Sequence, residues 1–362
     1  MAGLRIAFYA VNGLGLGHVT RLLAIARAVR RLEPGAEILF LTSSDADGVI
    51  YGEGFAAVKL PSKTIREEVG LSKRVYLKLI QTVTWNAIGA FDPDVLVVDT
   101  YPSGSVEELI PVLRWRQRNV FVFREQRSES FQSALLQASL PLYDMLIIPH
   151  DDVARAGTLP EPGKARAVGT ILIREKDELH RRDSARRILG LDQDALLYYA
   201  SFGGGGDGEA ARALGLTVRA VRERGDARLV VAAGPLLRNR IGDCGSGVHI
   251  LAGRYPMLDV LPAFDAAVSA AGYNSVHELL FAGVPSVVIP FGRVLDDQER
   301  RARELAAAGA CLCCAPLTKD NLRDALDRLG SAEVRRNLSR QAARTVRRNG
   351  AQDAARAILE LA

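Results

Sequence analysis

Ten short apolar runs without polar alternation constrain this chain more than any other feature. In the first half they are 5-RIAFYAV-11, 37-EILFLT-42, 94-DVLVVD-99, 119-NVFVF-123 and 145-MLIIP-149. In the second half they are 196-LLYYAS-201, 228-RLVVAA-233, 248-VHIL-251, 266-AAVS-269 and 285-PSVVIP-290. Runs of this kind read as strands covered on both faces, the habit of parallel sheets. Helical segments such as 103–118, 209–224 and 295–308 lie between them and complete repeated strand–helix–strand units. The expected fold class is α/β with mostly parallel sheets.

The two halves also open alike, with a strand, a glycine-rich loop and a helix: 4-LRIAFYAVNGLGLGHVTRLLAIARAV-29 and 196-LLYYASFGGGGDGEAARALGLTVRAV-221. A chain of 362 residues exceeds one ordinary core. The charged stretch 172-LIREKDELHRRDSARR-187 reads as the link between two domains. The expected division is a first domain over 1–170, a linker over 171–188, a second domain over 189–345, and a C-terminal helix over 346–362 that returns to the first domain. Doubly wound sheets bind ligands beyond the carboxyl ends of their strands. Two such domains facing each other would enclose a cleft lined by both glycine loops.

Composition narrows the partners. The net charge of +5 is dispersed, and the pairs Arg335-Arg336 and Arg347-Arg348 read as solvated helix faces. No aromatic-rich RNA-binding pattern accompanies them, so no nucleic-acid partner is expected. The cysteines Cys244, Cys311, Cys313 and Cys314 form no C-x-x-C pair. The run 310-ACLCCA-315 reads as a buried strand, with reduced, structural thiols. Arg5 interrupts the N-terminal apolar run, so no secretory leader is expected. No apolar stretch reaches membrane-spanning length. The expected location is cytoplasmic, with contact at a membrane surface left open.

The first loop, Gly13-Leu14-Gly15-Leu16-Gly17-His18, meets neither the dinucleotide fingerprint nor the P-loop pattern. Its bare backbone can approach an anion, with Gly15 and Gly17 on the phosphate or acceptor side, or it can simply turn tightly. His18 near a helix N-terminus should be held neutral by the positive potential there, the form a general base needs, although a histidine at such a place can also cap or pack. Arg21, one turn on, can meet a phosphate or a neighbouring carboxylate. The second loop, Gly203 to Gly206, is costly to order, and close approach to a phosphate or to another backbone, with Gly204 and Gly205 on the donor side, explains it better than a turn alone does.

The most informative stretch is 268-VSAAGYNSVHELLFAGVPSVVIPFGRVLDDQERRARELAAAGA-310. A strand ends in small residues at Gly272, and a helix begins near Asn274 and Ser275, both good N-cap types able to face a diphosphate. Glu278, one turn in, can accept two ribose hydroxyls, or merely favour the helix dipole. Asp297, Gln298 and Glu299 open another helix and suit sugar hydroxyls, although Asp297 alone would also serve as a cap.

This block resembles the donor-binding region of the family-28 glycosyltransferases. These are relatives of the bacterial enzyme that adds N-acetylglucosamine to the undecaprenyl-linked peptidoglycan precursor. The shared pieces are 271-AGYNSVHE-278, 282-AGVP-285, 290-PF-291 and 296-DDQ-298. The loop 15-GLGHVTR-21 is closer still to the G-x-G-H-x-x-R form of a branch of predicted glycosyltransferases, as are 99-DTYPSG-104, which begins at Asp99, and 124-REQRSES-130. The resemblance spans essentially the whole chain. It implies a GT-B architecture, with two facing Rossmann-like domains. It places Glu278 on the donor ribose, the 272–275 turn on the diphosphate, and 253-GRYPM-257, including Arg254 and Met257, on the base. Asp297, Gln298 and Glu299 would hold the sugar. Glu299 replaces the family's second Gln, and the 203–206 loop lacks the family's serine.

The reaction so implied is transfer from a nucleoside-diphosphate sugar, UDP-linked, to an acceptor hydroxyl. His18 would take the proton and the anomeric centre would invert. No cofactor and no metal are expected, and the Asp-x-Asp tripeptides at 45–47, 92–94 and 192–194 read as turns. The rivals are a sugar-nucleotide hydrolase of the pseudaminic-acid type, which also carries G-x-G-H-x-x-R, and a non-catalytic nucleotide-sugar sensor. The acceptor, lipid-linked or a natural product, would meet the first domain. Segment 71-LSKRVYLKLIQTVTWNAIGAF-91 reads as an amphipathic helix on the sheet or as one resting on an anionic membrane.

Overall fold

The computed structural model describes residues 3–11, 15–124, 134–157, 159, 161–203, 208–235, 247–293 and 296–362. The chain divides into two compact units, Met1–Ile173 with Gly350–Ala362, and Arg174–Asn349.

Each unit holds one fully parallel sheet. In the first, β1 (Arg5–Ala10), β2 (Glu37–Thr42), β3 (Ala56–Lys59), β4 (Val95–Asp99), β5 (Arg118–Val122), β6 (Met145–Ile148) and β7 (Ala165–Ala167) lie in the order β3-β2-β1-β4-β5-β6-β7. In the second, β8 (Leu197–Ser201), β9 (Arg228–Ala233), β10 (Val248–Ala252), β11 (Ala266–Ala270), β12 (Ser286–Ile289) and β13 (Leu312–Cys313) run β10-β9-β8-β11-β12-β13. The central strands are buried along their length: β4, β11 and β12 expose no residue. That explains their unbroken apolar sequences. The edge strands β3 and β7 are short and partly exposed, and AAVK and ARA carry no apolar run to betray them.

Strand order reverses between β1 and β4 in one sheet and between β8 and β11 in the other. Such switch points leave a crevice beyond the strand ends. The loops that leave them lead to the helices Gly17–Leu32, Gly208–Arg224 and Tyr273–Ala282. Of the candidate residues, Gly15, Gly17, His18, Arg21 and Asp99 follow β1 or end β4 beside the first switch point, and Gly272, Asn274, Ser275 and Glu278 follow β11 beside the second.

Three expectations need correction. The segment 171–188 is no free linker. Ile171, Leu172 and Ile173 are buried in the first unit, and the helix Arg182–Ile188 belongs to the second. Arg186 is fully buried and donates to the carbonyls of Ala263, Asp192, Gln193 and Ala195 and to Asp265. A charged residue reads as solvent-facing in sequence, but five acceptors make its burial tolerable. Between 103 and 118 only Leu109–Val112 is α-helical. Pro111 supplies no N–H, and the amides of Ser105 and Val106 bond to the Glu108 carboxylate instead. In 310–315 only Leu312–Cys313 pairs as strand. Cys311 and Cys314 are buried there, and burial pushes their thiols up to about 12 and about 11. Cys244 lies outside the described residues.

The C-terminal helix Ala351–Leu361 packs on Gly17–Leu32 with Ala351, Ala354, Ala355 and Ile358 buried. The chain enters it through Gly350, whose N–H donates to Thr170 O at 2.7 Å. A Cβ at Gly350 would stand 2.3 Å from Val168 O, so only glycine permits this approach.

Candidate active site

In the first unit, His18 sits in the first turn of Gly17–Leu32 and Asp99 ends β4. Because β1 and β4 are neighbours, these distant residues meet. His18 Nδ1 lies 3.1 Å from Asp99 Oδ1 and 2.9 Å from Thr100 Oγ1, whose hydroxyl donates to Asp99. Arg21 grips the same carboxylate with a fork, Nε to Oδ2 at 2.8 Å and Nη2 to Oδ1 at 2.8 Å. Arg21 is 2% exposed and Asp99 is 0% exposed, so the pair is sealed from water.

The chemistry of the donors fixes the proton. An ionised carboxylate can only accept, so Nδ1 carries the hydrogen and Nε2 keeps its lone pair. Burial opposes ionisation of Asp99, but the charge of Arg21 and the bond from His18 outweigh it and hold the carboxyl well below its usual range. The His18 imidazole is itself held below its ordinary value, first by burial and then by the charges of Arg21 and Arg124, against the pull of Asp99. Burial, rather than the helix N-terminus that the sequence suggests, is the first cause of that lowering.

The loop after β4 is held tightly. Thr100 has φ 65°. For a β-branched residue that conformation costs roughly 1–3 kcal/mol, which its surroundings must supply. Glu108, fully buried, accepts from Ser105 N at 3.1 Å, Ser105 Oγ at 3.2 Å, Val106 N at 2.7 Å and the Tyr9 hydroxyl. Trp85 Nε1 donates to the Glu108 carbonyl at 2.7 Å. Gly104, at φ 87°, lies against this carboxylate, where a Cβ would come within 2.5 Å. The loop thereby presents Tyr101, 37% exposed, edge-on to the His18 ring with centroids 5.9 Å apart.

Arg21 thus meets a carboxylate rather than a phosphate. Gly15 precedes the helix and Gly17 begins it, both half-buried. Gly13 and Leu14 lie outside the described residues, as do Gly204, Gly205, Gly206 and most of 124–130.

In the second unit the helix after β11 starts one residue earlier than its sequence indicates. Gly272 is the N-cap, and Asn274 and Ser275 lie in the first turn of Tyr273–Ala282. The small Gly272 turns the chain at once, which puts the first-turn amides directly beyond the strand. Glu278 follows on this helix. Burial pushes its carboxyl up to about 7; Arg174 pulls it down and Asp259 adds to the rise. Arg254 Nη2 bonds Asp259 Oδ2 at 2.9 Å and ties the 253–257 segment to the turn Leu258–Ala263 that Met257 caps.

Asp297, Gln298 and Glu299 open the helix Gln298–Ala307 with distinct tasks. Asp297 is its N-cap and accepts from Arg300 N at 3.1 Å. Gln298 is buried; its Oε1 accepts from Phe291 N at 3.0 Å, and its Nε2 lies 3.4 Å from Asp296 Oδ2. Glu299 is exposed and pairs with Arg303 at 2.5 Å. Sequence reading missed Arg301, which bonds Asp296 Oδ1 at 2.7 Å and Ala271 O at 2.9 Å. It thus locks this helix to the end of β11. The run DDQERR hides it, since one arginine among several has no visible partner in sequence.

Among the described residues, no group of three or more His, Cys, Asp or Glu converges, and no helix is long and apolar enough to cross a membrane. The Asp-x-Asp carboxylates serve turns and ion pairs: Asp45 with Lys59, Asp92 with Arg5 and Arg116, and Asp192 with the amides of Asp194 and Ala195.

Residues 242–358 match the glycosyltransferase family 28 C-terminal domain. Over 344 residues the chain is 26% identical to the UDP-N-acetylglucosamine–N-acetylmuramyl-(pentapeptide) pyrophosphoryl-undecaprenol N-acetylglucosamine transferase of Salinibacter ruber, covering 91% of this chain and 90% of that one. It is 28% identical over 340 residues to the enzyme of the same name from Symbiobacterium thermophilum, covering 90% and 88%. Among solved structures it resembles the spinosyn rhamnosyltransferase SpnG complexed with thymidine diphosphate, with a TM-score of 0.68 at 16% identity over 98% of this chain and 100% of that one. It also resembles MurG of Acinetobacter baumannii, with a TM-score of 0.60 at 16% identity over 99% of each chain. At such identity the structural likenesses speak to the fold alone. Together with the sequence relatives they identify the chain: it is a GT-B glycosyltransferase that resembles the MurG-like members of family 28 and carries that family's C-terminal domain.

Proposed function

We propose that the protein transfers a sugar from a UDP-sugar to an acceptor hydroxyl, with inversion and without a metal. The observation that carries this reading is the His18–Asp99 pair at the β1/β4 switch point. A neutral imidazole, backed by an ionised carboxylate, keeps Nε2 available to take the acceptor's proton as the oxygen attacks the anomeric carbon. Attack opposite the leaving diphosphate inverts that carbon. Charge developing on the diphosphate is met by the first-turn amides at 273–275.

The donor is assigned to the second unit. Glu278 as carboxylate accepts the two ribose hydroxyls, the 253–257 backbone meets the base, and Asp297, Gln298 and Glu299 serve the sugar. Gln298 contributes through the Asp296–Arg301 network rather than as a free amide. The relatives' names speak for UDP as the nucleotide and for a lipid-linked acceptor.

The helix Lys73–Phe91 supports that acceptor. Tyr76, Ile80, Thr84 and Ile88 are buried, while Lys73, Arg74, Val75, Lys78 and Leu79 are exposed. A basic and apolar face of this kind suits peripheral contact with an anionic membrane. Nucleotide release from UDP-sugars, with and without lipid-linked and natural-product acceptors, tests the reading. Acceptor-dependent release supports it, and equal release of free sugar without acceptor makes the protein a hydrolase.

A further inference from the structure

We propose that Arg21 is the positioning residue that keeps His18 a neutral, Nδ1-protonated base, by cancelling the charge of the carboxylate behind the ring. A buried carboxylate 3.1 Å from an imidazole nitrogen would, alone, strongly favour the imidazolium. Such a partner commonly raises a histidine by about one to three pH units, a pull that works against the burial of the ring. Here both carboxylate oxygens are bonded by the Arg21 fork, and Arg21 Nη2 also stands 3.4 Å from His18 Nδ1.

The other groups facing the ring do not replace this effect. Thr100 and Tyr101, from the loop after β4, are uncharged, and Arg124, which follows β5, adds a second cation. Asp99 therefore supplies direction without basicity. Its oxygen fixes which nitrogen carries the hydrogen, and Arg21 removes its pull on a second proton. The spacing of His18 and Arg21, three residues apart on one helix, puts both on the same face. The motif G-H-x-x-R then has a physical reason.

This inference rests on His18 being the base, but its test can be read without turnover. The His18 titration midpoint is measured by NMR of histidine-labelled protein, assigned with His18→Ala, in wild type, Arg21→Gln, Arg21→Lys and Asp99→Asn. Arg21→Gln is expected to raise the midpoint by about one unit or more and to move the acid limb of kcat/KM by the same amount. Arg21→Lys keeps the charge and should stay within about 0.5 unit of wild type, although its lost fork lowers kcat. Asp99→Asn leaves the cation unopposed and should lower the midpoint. If Arg21→Gln does not fold, the paired change Arg21→Gln with Asp99→Asn, which leaves no unpaired buried charge, decides the question: its midpoint should lie above that of Asp99→Asn alone, and equal midpoints would overturn the proposal. An unmoved midpoint in the folded variant would overturn the proposal and make Arg21 a purely structural anchor, whatever happens to the rate. Full turnover by His18→Ala would instead sink the base assignment, while the midpoints still judged Arg21.

Discussion

Asp99 Oδ1 lies 3.1 Å from His18 Nδ1, joining the last residue of β4 to the first turn of the helix that follows β1. Eighty-one residues separate the two in sequence, and sheet order alone brings them together. The contact is a product of the doubly wound topology: strands one and four are neighbours, and their carboxyl ends open on the same crevice.

Donor affinity should depend on pH through Glu278. Its carboxyl is pushed up to about 7, so the proton is held below that pH, and the protonated form cannot accept from both ribose hydroxyls. Calorimetric titration with UDP should show affinity falling as pH drops through 7. Glu278→Gln should bind about tenfold more weakly, with that pH dependence removed. The stability of the unliganded protein runs the other way. A carboxyl raised above its unfolded value favours folding below about 4.3, and that contribution is lost as pH climbs to about 7.

Gly350→Ala should destabilise the protein by about 1–3 kcal/mol, because the new methyl meets the Val168 carbonyl where the C-terminal helix docks. Thermal denaturation measures this, with Gly163→Ala as the control, since nothing lies within 4 Å of a Cβ there. Equal melting temperatures for the two variants would refute the packing argument.

Arg301→Gln should raise the donor KM more than it lowers kcat. The change frees Ala271 O and leaves Asp296 with a weaker partner, so the turn at 272–275 loses its fixed position while His18 is untouched. Steady-state kinetics in donor concentration separates the two constants. A pure kcat effect would place Arg301 in the chemistry instead.

The fold was legible because burial on both faces writes itself directly into sequence. Strands such as 95–99 and 286–289 are apolar but for one end residue each, Asp99 and Ser286. What stayed hidden were pairings across the fold. Arg186 looked like part of a charged linker, and Arg21 could not choose between phosphate and carboxylate. Arg301 stood anonymous in a run of charges. An ionic side chain declares its type in sequence but never its partner, and the partner decides whether it is solvated, structural or chemical. The helix start at Tyr273 shows the same limit on a smaller scale: Asn274 is a good cap by type, but the strand ends at Ala270 and the cap falls to Gly272.

The central claim is that His18 removes the acceptor's proton during sugar transfer, and single-turnover release of UDP from the bound donor tests it most directly. With acceptor present, His18→Ala should slow that release by about a hundredfold or more, while UDP affinity stays within about twofold of wild type. Undiminished turnover in His18→Ala, in a variant that still folds and still binds UDP, would contradict the account.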